Sequence, residues 1–417
     1  MTASAVPAIV RAADGVPLKT KLRSVERARQ IRAVLLVLPL FIFITVSFVA
    51  PILVTLRNAV YDPKFSQVMP LTTAAIKDWK GDALPDEAVF AALAADLRQT
   101  QKDKTTAFVG KRLNYEISGI RSKVIATGRE IGKLQSDPDR QAILAMDPVW
   151  GEITTWAAIR NASATVTSFY VAAALDLRWT PDGNLVNTPP EMSIYRDVLV
   201  RTMGISLTVT VVTLLLGFPL AYLLAMLPPR TGNVLMILVL IPFWTSLLVR
   251  TTAWFVLLQD NGMVNDALQA LHIVDHPLRL IFSRTGTIVA MTHIQLPFTL
   301  LPIYSVMKTI SPSYVRAARS LGAGPFYAFW RVYFPQTMPG IAAGCLLTFI
   351  LCLGYYITPA LVGGPADQMV SNLVEVAINR ENNWGKASAL ATILLVATLI
   401  LYFVYNRLVG IEKLKLG

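Results

Sequence analysis

The sequence predicts an all-α protein that crosses a membrane six times and carries a large, mainly helical insertion on the outer side. Each of six apolar runs reaches the length of about 20 residues that a helix needs to cross a bilayer. These runs are 33–56, 199–227, 233–258, 285–309, 337–361 and 388–409. Mean hydropathy is +0.52, and the charged share of 15% lies below the quarter, roughly, that soluble domains carry. The insertion is the hydrophilic segment 58–196 between the first two runs.

The basic residues predict the orientation of the chain. Its net charge of +12 could indicate nucleic acid binding, but the charges cluster beside the ends of the apolar runs. Before the first run stand Arg11, Lys19, Lys21, Arg23, Arg27, Arg29 and Arg32, and after the last stand Arg407, Lys413 and Lys415. Because Lys and Arg mark cytoplasmic flanks, we expect both termini in the cytoplasm, a multi-pass protein in the lipid bilayer, and no nucleic acid partner.

The N-terminal part divides into a tail and a first span. Residues 1–32 are a basic cytoplasmic tail, in which 19–32 favour an amphipathic helix on anionic headgroups. Residues 33–57 are the first transmembrane helix. This run lacks the small-residue cleavage site that follows the short apolar core of a signal peptide, so we expect it to remain as an anchor.

The insertion at 58–196 shows two helical patterns. A helix starts at Pro85-Asp86-Glu87 and carries an apolar stripe formed by Val89, Phe90, Leu93 and Leu97. A heptad-like seam follows, formed by Leu113, Ile117, Ile120, Val124, Thr127, Ile131 and Leu134. We expect the two helices to pair as a hairpin. Further on, Pro181-Asp182-Gly183 favours a turn between short β-prone pieces. Two interpretations remain open, a self-packed cap or a docking surface for an extracytoplasmic partner.

A basic segment at 309–336 connects the fourth and fifth runs. Pro312 favours a helix start, and Gly322-Ala323-Gly324-Pro325 ends that helix and turns the chain. A second amphipathic helix then leads to Pro335 and into the fifth run. Such a helix-turn-helix on a membrane face can transmit movement as a rigid unit, and the small side chains of Ala317 and Ala318 let another surface approach closely.

This segment resembles the EAA loop of type I ABC importer permeases, the helix that docks in a groove of the ATPase subunit. Ala317, Ala318, Gly322 and Pro335 match the family pattern at its spacing, whereas Arg316 stands where the family usually has Glu. Segments 217–222, 242–250, 253–254, 262–265, 383–385 and 388–390 resemble the spermidine/putrescine-type permeases. The resemblance assigns ATPase coupling to Arg316, Ala317, Ala318, Ser320, Leu321, Gly322, Ala323 and Pro335.

The resemblance also implies the architecture and the partners. It implies six transmembrane helices of the type I ABC importer permease fold in a bacterial inner membrane, with residues 197–417 as a five-helix core. The implied partners are a second permease subunit, an ATP-binding cassette ATPase dimer and an extracytoplasmic solute-binding protein. This chain would hold no catalytic residue, metal or cofactor, since ATP and Mg would bind the ATPase subunits; consistently, its sequence has no Gly-x4-Gly-Lys-Ser/Thr phosphate loop.

Polar groups within the runs are candidates for a solute path, because each is costly when it faces lipid. They are Trp244, Thr245, Ser246, Arg250, Trp254, Gln295, Tyr355, Tyr356 and Thr358. Each also has an ordinary explanation, since Ser and Thr bond their own helix and aromatic rings favour the interface. A polyamine would be met by carboxylates or aromatic faces, yet the runs contain no Asp or Glu. We expect a polyamine or related solute, with an amino-acid-derived or opine-like solute as the alternative.

Two rival functions have weaker support. A secondary transporter is expected to carry intramembrane ionisable residues that couple transport to an ion gradient, and repeat symmetry; we find neither a set of coupling residues nor a repeat in the sequence. For a membrane enzyme the only hint is His272, Asp275 and His276 in an outer loop, with no third His nearby.

Cys345 and Cys352 lie seven apart in the fifth run, which excludes a disulfide within one helix, so we interpret them as apolar packing residues.

Overall fold

Among the residues that the structure describes, five helices are long and apolar enough to cross a membrane, and a bent helix pair gives a sixth crossing if it counts as one span. The computed structural model describes residues 18–136 and 138–409. The five helices are Arg29–Asn58, Tyr195–Met226, Arg284–Thr309, Pro325–Leu353 and Trp384–Arg407. The chain forms two units, one ending at Arg57 and the other beginning at Asn58.

The first unit is one continuous helical rod. Helix α1 (Leu18–Ile44) runs through a π-helical turn (Thr45–Val49) into α2 (Ala50–Asn58). Residues 19–32 are helical as expected, but this helix continues into the first span, because no Gly or Pro interrupts the chain between residue 18 and Pro39. Along the apolar window of this rod no residue is buried, as suits contact with lipid. Residues 1–17 of the basic tail, with Arg11, and the C-terminal Lys413 and Lys415 lie outside the described residues.

The insertion builds a hydrophobic core of its own. Its helices are α3 (Lys64–Val68), α4 (Pro70–Ala75), α5 (Glu87–Lys102), α6 (Thr106–Leu113), α7 (Ile120–Lys133), α8 (Arg140–Met146), α9 (Ile153–Ser163) and α10 (Phe169–Ala173), with a 3-10 turn at Pro148–Gly151. Phe90, Leu93, Leu97 and Val124 are buried together with Trp150 and Trp156. This packing supports the self-packed cap.

The expected pairing of two long helices is only partly correct. Helices α5 and α7 do pack together, but the second helix is broken between Leu113 and Ile120. The Asn114 side chain accepts a 2.9 Å hydrogen bond from the Gly119 amide, and Gly119 has φ +85°, a region that favours glycine. Leu134, the last residue of the expected seam, follows the end of α7 and is 43% exposed.

A β-hairpin and a helix cap join the insertion to the second span. Strands β1 (Leu177–Trp179) and β2 (Leu185–Asn187) pair antiparallel around the turn expected at Pro181-Asp182-Gly183. Ahead of β1, the buried Asp176 carboxylate accepts hydrogen bonds of 3.0, 3.2 and 2.7 Å from the amides of Ile194, Tyr195 and Arg196. It thereby satisfies orphan donors at the start of the next helix.

The rest of the described chain forms the helical core. Its helices are α11 (Tyr195–Met226), α12 (Pro229–Leu240), α13 (Leu247–Leu257), α14 (Met263–Ala270), α15 (Arg284–Thr309), α16 (Pro312–Ser320), α17 (Pro325–Ala328), α18 (Phe334–Leu353), α19 (Ile357–Leu361), α20 (Val370–Asn379) and α21 (Trp384–Val409). Helices α11, α15 and α18 pack against one another at its centre.

Small and hydroxyl side chains let these three helices approach closely. A Cβ on Gly344 of α18 would lie 2.6 Å from the carbonyl oxygen of Thr299 on α15. The Thr299 hydroxyl donates to Thr213 of α11 at 2.9 Å and lies 2.6 Å from the Thr348 hydroxyl. Since a hydroxyl has one proton, Thr348 must donate to Thr299. This chain of bonds joins three spans.

Two of the expected spans have different boundaries. The run 233–258 is not one helix: α12 with a 3-10 turn (Ile241–Trp244) and α13 meet at a bend of 93°. Ser246 caps α13 by accepting from the Val249 amide at 3.2 Å, so the chain restarts a helix there. The fifth span begins at Pro325 and its long helix ends at Leu353, which leaves Tyr355 and Tyr356 in a break before the short α19.

Candidate coupling segment and transport path

Helix α16 rests on the core by one side and presents the other outward. Ser311 caps it, since its hydroxyl accepts from the Ser313 amide at 3.3 Å, and Pro312 follows at the first helical position, which proline favours. Val315 packs against the core, and Ala318 is half-buried on the same side. The exposed side is formed by Arg316, Ala317, Arg319 and Ser320.

The turn after α16 is fixed by its backbone. The Ala323 amide bonds the Ala318 carbonyl at 3.1 Å and the Gly322 amide bonds the Arg319 carbonyl at 3.0 Å, the pattern of a Schellman motif. Gly322 has φ +88°, which a side chain would strain. Leu321 stands at the tip and is 89% exposed. An apolar side chain is thus held out on a rigid turn.

Past the turn the chain enters the fifth span without a break. Helix α17 passes through a π-helical turn (Phe329–Tyr333) into α18, forming one helix from Pro325 to Leu353. Pro335 lacks the amide that would continue the α-helical ladder, which accounts for the wider turn before it. The separate second helix expected before the fifth span is therefore part of that span.

Aromatic rings join this helix to the second span. Phe218 of α11 lies 5.7 Å from Phe334 and Tyr222 lies 5.5 Å from Phe329, measured between ring centroids. Both pairs have the edge-to-face geometry that aromatic rings prefer. These ring contacts connect the helix that follows the turn at Leu321 to α11.

Part of the expected solute path lies together on α13, α15 and α19. The Trp254 indole donates to Nδ1 of His293 at 3.1 Å, and the Thr251 and Thr358 hydroxyls lie 3.1 Å apart. The guanidinium of Arg250 lies 5.9 Å from the Phe243 ring centroid. His293 and Thr251 were not among the expected path residues, because their partners are distant in sequence.

Several buried polar atoms in this region have no hydrogen-bond partner among the described residues. They are Ser206 Oγ, Arg250 Nε, Thr292 Oγ1, Gln295 Oε1 and the Tyr355 hydroxyl. These atoms come from the second, third and fourth spans and from the break after α18. Buried polar groups are nearly always satisfied by protein or water, so this region suits polar molecules that enter from outside the chain.

The other expected path residues lie at the two helix breaks. Trp244 is 85% exposed. The Thr245 hydroxyl donates to the Pro242 carbonyl at 2.7 Å, and Ser246 caps α13, so both hydroxyls are used by the break itself. Tyr356 is 42% exposed, and its carbonyl accepts a 3.0 Å bond from the Asn372 amide group.

Known proteins match the sequence of this core. A family model described as "Binding-protein-dependent transport system inner membrane component" matches residues 217–411. The spermidine/putrescine transport system permease protein PotB of Escherichia coli (strain K12) is 33% identical over 226 residues, which cover 54% of this chain and 82% of PotB. The chain belongs to this family of inner membrane permeases. The permease is also 34% identical over 214 residues to PotB of Haemophilus influenzae (51% and 75% covered).

Two further proteins are less similar to the chain. The inner membrane ABC transporter permease protein YdcU of Escherichia coli (strain K12) is 29% identical over 269 residues, covering 58% of this chain and 85% of YdcU. A crystal structure of a bacterial alginate ABC transporter, in complex with an alginate pentasaccharide-bound periplasmic protein, aligns at 18% identity with a TM-score of 0.42, covering 54% and 80%.

Family membership confirms several expectations. The permease is a multi-pass inner membrane protein and the transmembrane subunit of a binding-protein-dependent ABC importer of the spermidine/putrescine type. The alternative interpretation as a secondary transporter is therefore wrong. Cys345 and Cys352 of α18 are free thiols.

Proposed function

We propose that the permease pairs with a second permease subunit, takes its solute from an extracytoplasmic solute-binding protein, and is driven by an ATPase dimer that seats on residues 309–336. The termini and this segment face the cytoplasm, and the insertion faces outward. The chain contributes no catalytic residue, since ATP and Mg are held by the ATPase subunits. Arg316, Ala317, Ser320, Leu321, Gly322 and Ala323 form the docking surface, Ala318 seats α16 on the core, and Pro335 shapes the helix behind them.

The observation that carries the proposal is the combination of exposure and rigid connection in one segment. Leu321 is 89% exposed, and an apolar side chain held out on a fixed turn suits contact with another protein. Behind it a continuous helix reaches from Pro325 to Leu353. Motion of the ATPase dimer is thereby converted into alternating access of the helix bundle.

The solute is a small polar organic molecule, for which we propose a polyamine or a related compound. In this chain a cation would meet the aromatic faces of Trp254 and Tyr355, because the spanning helices carry no carboxylate apart from Asp197 in the first turn of α11. Amino-acid-derived or opine-like solutes are the second candidates. Thermal stabilisation of the purified binding protein by spermidine or putrescine, but not by glutamate or octopine, supports the first class, and the reverse result supports the second.

ATP-driven uptake by the assembled importer in proteoliposomes tests the coupling role. We expect Leu321→Asp to abolish ATP-dependent uptake, because it places a carboxylate in an apolar contact. Leu271, 70% exposed in the loop between α14 and α15, offers the matched control, and Leu271→Asp should retain uptake. Equal uptake by the two variants would contradict the proposal.

A further inference from the structure

The charge on the proposed docking surface has one sign only. Residues 308–336 contain four basic side chains, Lys308, Arg316, Arg319 and Arg331, and no Asp or Glu. Resting on the proposed function, we propose that the ATPase groove that receives α16 is lined with carboxylates that pair with Arg316 and Arg319.

The four basic residues occupy two different places. Lys308 is in the last turn of α15, with its ammonium 6.0 Å from the Tyr304 ring centroid, and Arg331 lies in the π-helical turn at the base of the fifth span. Both stand at span ends, where headgroups are met. Arg316 and Arg319 instead lie on α16, which is separated from α15 by the Ser311 cap.

The two arginines form a matched pair on the exposed side of α16. Their spacing of three residues places them on the same helix face, and both side chains are exposed. No ion pair is formed by either one within the described part of the chain. Like charges at this spacing repel each other, and α16 has no acidic residue in its first turn to offset them.

Carboxylates on the partner would relieve this repulsion and match the geometry of the surface. A guanidinium presents two parallel donors to one carboxylate, and Leu321 at the end of the same helix supplies the apolar contact beside it. Charge complementarity of this kind selects the partner and speeds association. The surface thus fits a groove with an apolar pocket for Leu321 and acidic residues along α16.

The affinity of the ATPase subunit for the permease assembly in lipid nanodiscs tests this inference. In phosphatidylcholine nanodiscs at low salt we expect Arg316→Glu to weaken binding roughly tenfold or more, because it turns attraction into repulsion. We expect Arg316→Lys to weaken binding less than Arg316→Gln does, because the ammonium keeps the charge but loses the paired donors. Arg316→Gln should lie between Arg316→Lys and Arg316→Glu. Added NaCl should weaken the parent more than Arg316→Glu, since salt screens attraction.

Arg230 provides the matched control for the same charge reversal. It is exposed at the start of α12 and lies outside the docking segment, so Arg230→Glu should leave ATPase affinity unchanged. A Glu→Lys or Asp→Lys change in the ATPase groove should restore binding of the ATPase subunit to the Arg316→Glu permease. The same change should not improve binding to the parent permease.

Three outcomes would overturn the inference. Parent-like binding of Arg316→Glu in phosphatidylcholine shows that no carboxylate faces this residue. An effect that appears only with phosphatidylglycerol in the nanodisc assigns the charge to lipid headgroups. If Leu321→Asp weakens binding and Arg316→Glu does not, the docking site stands and the acidic groove fails, whereas parent-like binding of both variants removes the docking site as well.

Discussion

The turn between α16 and α17 contains two glycines that the structure distinguishes sharply. Gly322 has φ +88° and Gly324 has φ −63°, and a Cβ on either one would meet nothing within 4 Å. Alanine therefore creates no clash at either position, and only backbone conformation separates the two. At Gly322 the left-handed conformation costs alanine about 1–2 kcal/mol, whereas at Gly324 alanine stabilises the folded chain by about 0.4–1 kcal/mol by restricting the unfolded one.

Gly322→Ala should therefore impair ATPase docking without harming the span bundle. The free turn of the variant relaxes out of the left-handed conformation, and docking must restore that conformation. Restoring it costs about 1–2 kcal/mol, which weakens ATPase affinity by about five- to thirtyfold. Gly324→Ala should bind the ATPase as the parent does, and thermal unfolding of the core should change little in either variant. The reasoning is refuted if both alanine variants lose the same affinity, or if Gly322→Ala loses none.

Three further substitutions test the packing of the chain by thermal unfolding in detergent. Thr299→Val should destabilise the core by about 1–3 kcal/mol, because it removes two interhelical hydrogen bonds worth about 0.6–1.7 kcal/mol each. The Thr309 hydroxyl donates only to a carbonyl of its own helix, at 2.8 Å, so Thr309→Val should leave the stability unchanged. Equal losses of stability in the two variants would contradict the account. Arg112→Gln should destabilise the insertion by about 3–5 kcal/mol, since the 3% exposed guanidinium pairs with Glu116 at 3.0 Å and Asp62 at 3.4 Å. Burial raises the pKa of Glu116, while Arg112 and Asn161 act in the opposite direction, so removing Arg112 raises this pKa further. In the variant the folded state then binds a proton at Glu116 more tightly than the unfolded state does. The loss of stability caused by Arg112→Gln should therefore shrink as the pH falls below neutral. A pH-independent loss would contradict this. Gly385→Ala should cost about 1–3 kcal/mol by overpacking, because its Cβ would clash with the Tyr170 ring. Adding Tyr170→Leu should recover part of that loss, and simple additivity would exclude the contact.

Hydropathy located the spans but could not locate their breaks. Prolines also lie inside α11, α15 and α18, at Pro219, Pro297 and Pro339 among others, and these helices continue through them. After Pro242 the chain bends by 93° between Trp244 and Leu247, where Thr245 and Ser246 supply local hydrogen bonds, including a new helix cap. The proline alone therefore does not predict a break.

The helix at Pro312–Ser320 and the turn after it were predictable because their chemistry is local. Gly322, Pro325 and Pro335 act on their own turns, so their spacing in the sequence indicates the helix-turn-helix directly. The path contacts are different, since Thr251 meets Thr358 across 107 residues and Trp254 meets His293 across 39. Such pairs follow from how the spans pack, which one sequence does not contain.

The insertion shows both situations. Its buried side chains at Phe90, Leu93 and Leu97 follow the helical period, so the packed face of α5 was predictable. The predicted apolar seam ran on past Leu113, where α6 ends, because Ile117 keeps the heptad spacing although it lies in a turn. The hydrogen bond from the Gly119 amide to the Asn114 side chain marks the end of α6 and the start of α7, and the apolar spacing does not reveal it.

The seating of α16 on the ATPase is tested most directly by cysteine crosslinking in the assembled importer. Ala317→Cys would place a thiol on the exposed side of α16, and Leu271→Cys would place one in the loop between α14 and α15. We predict that Ala317→Cys crosslinks to the ATPase subunit with a yield that changes with nucleotide, and that Leu271→Cys does not crosslink to it. Failure of Ala317→Cys to reach the ATPase, or its labelling from the extracytoplasmic side by a membrane-impermeant reagent, would contradict the account.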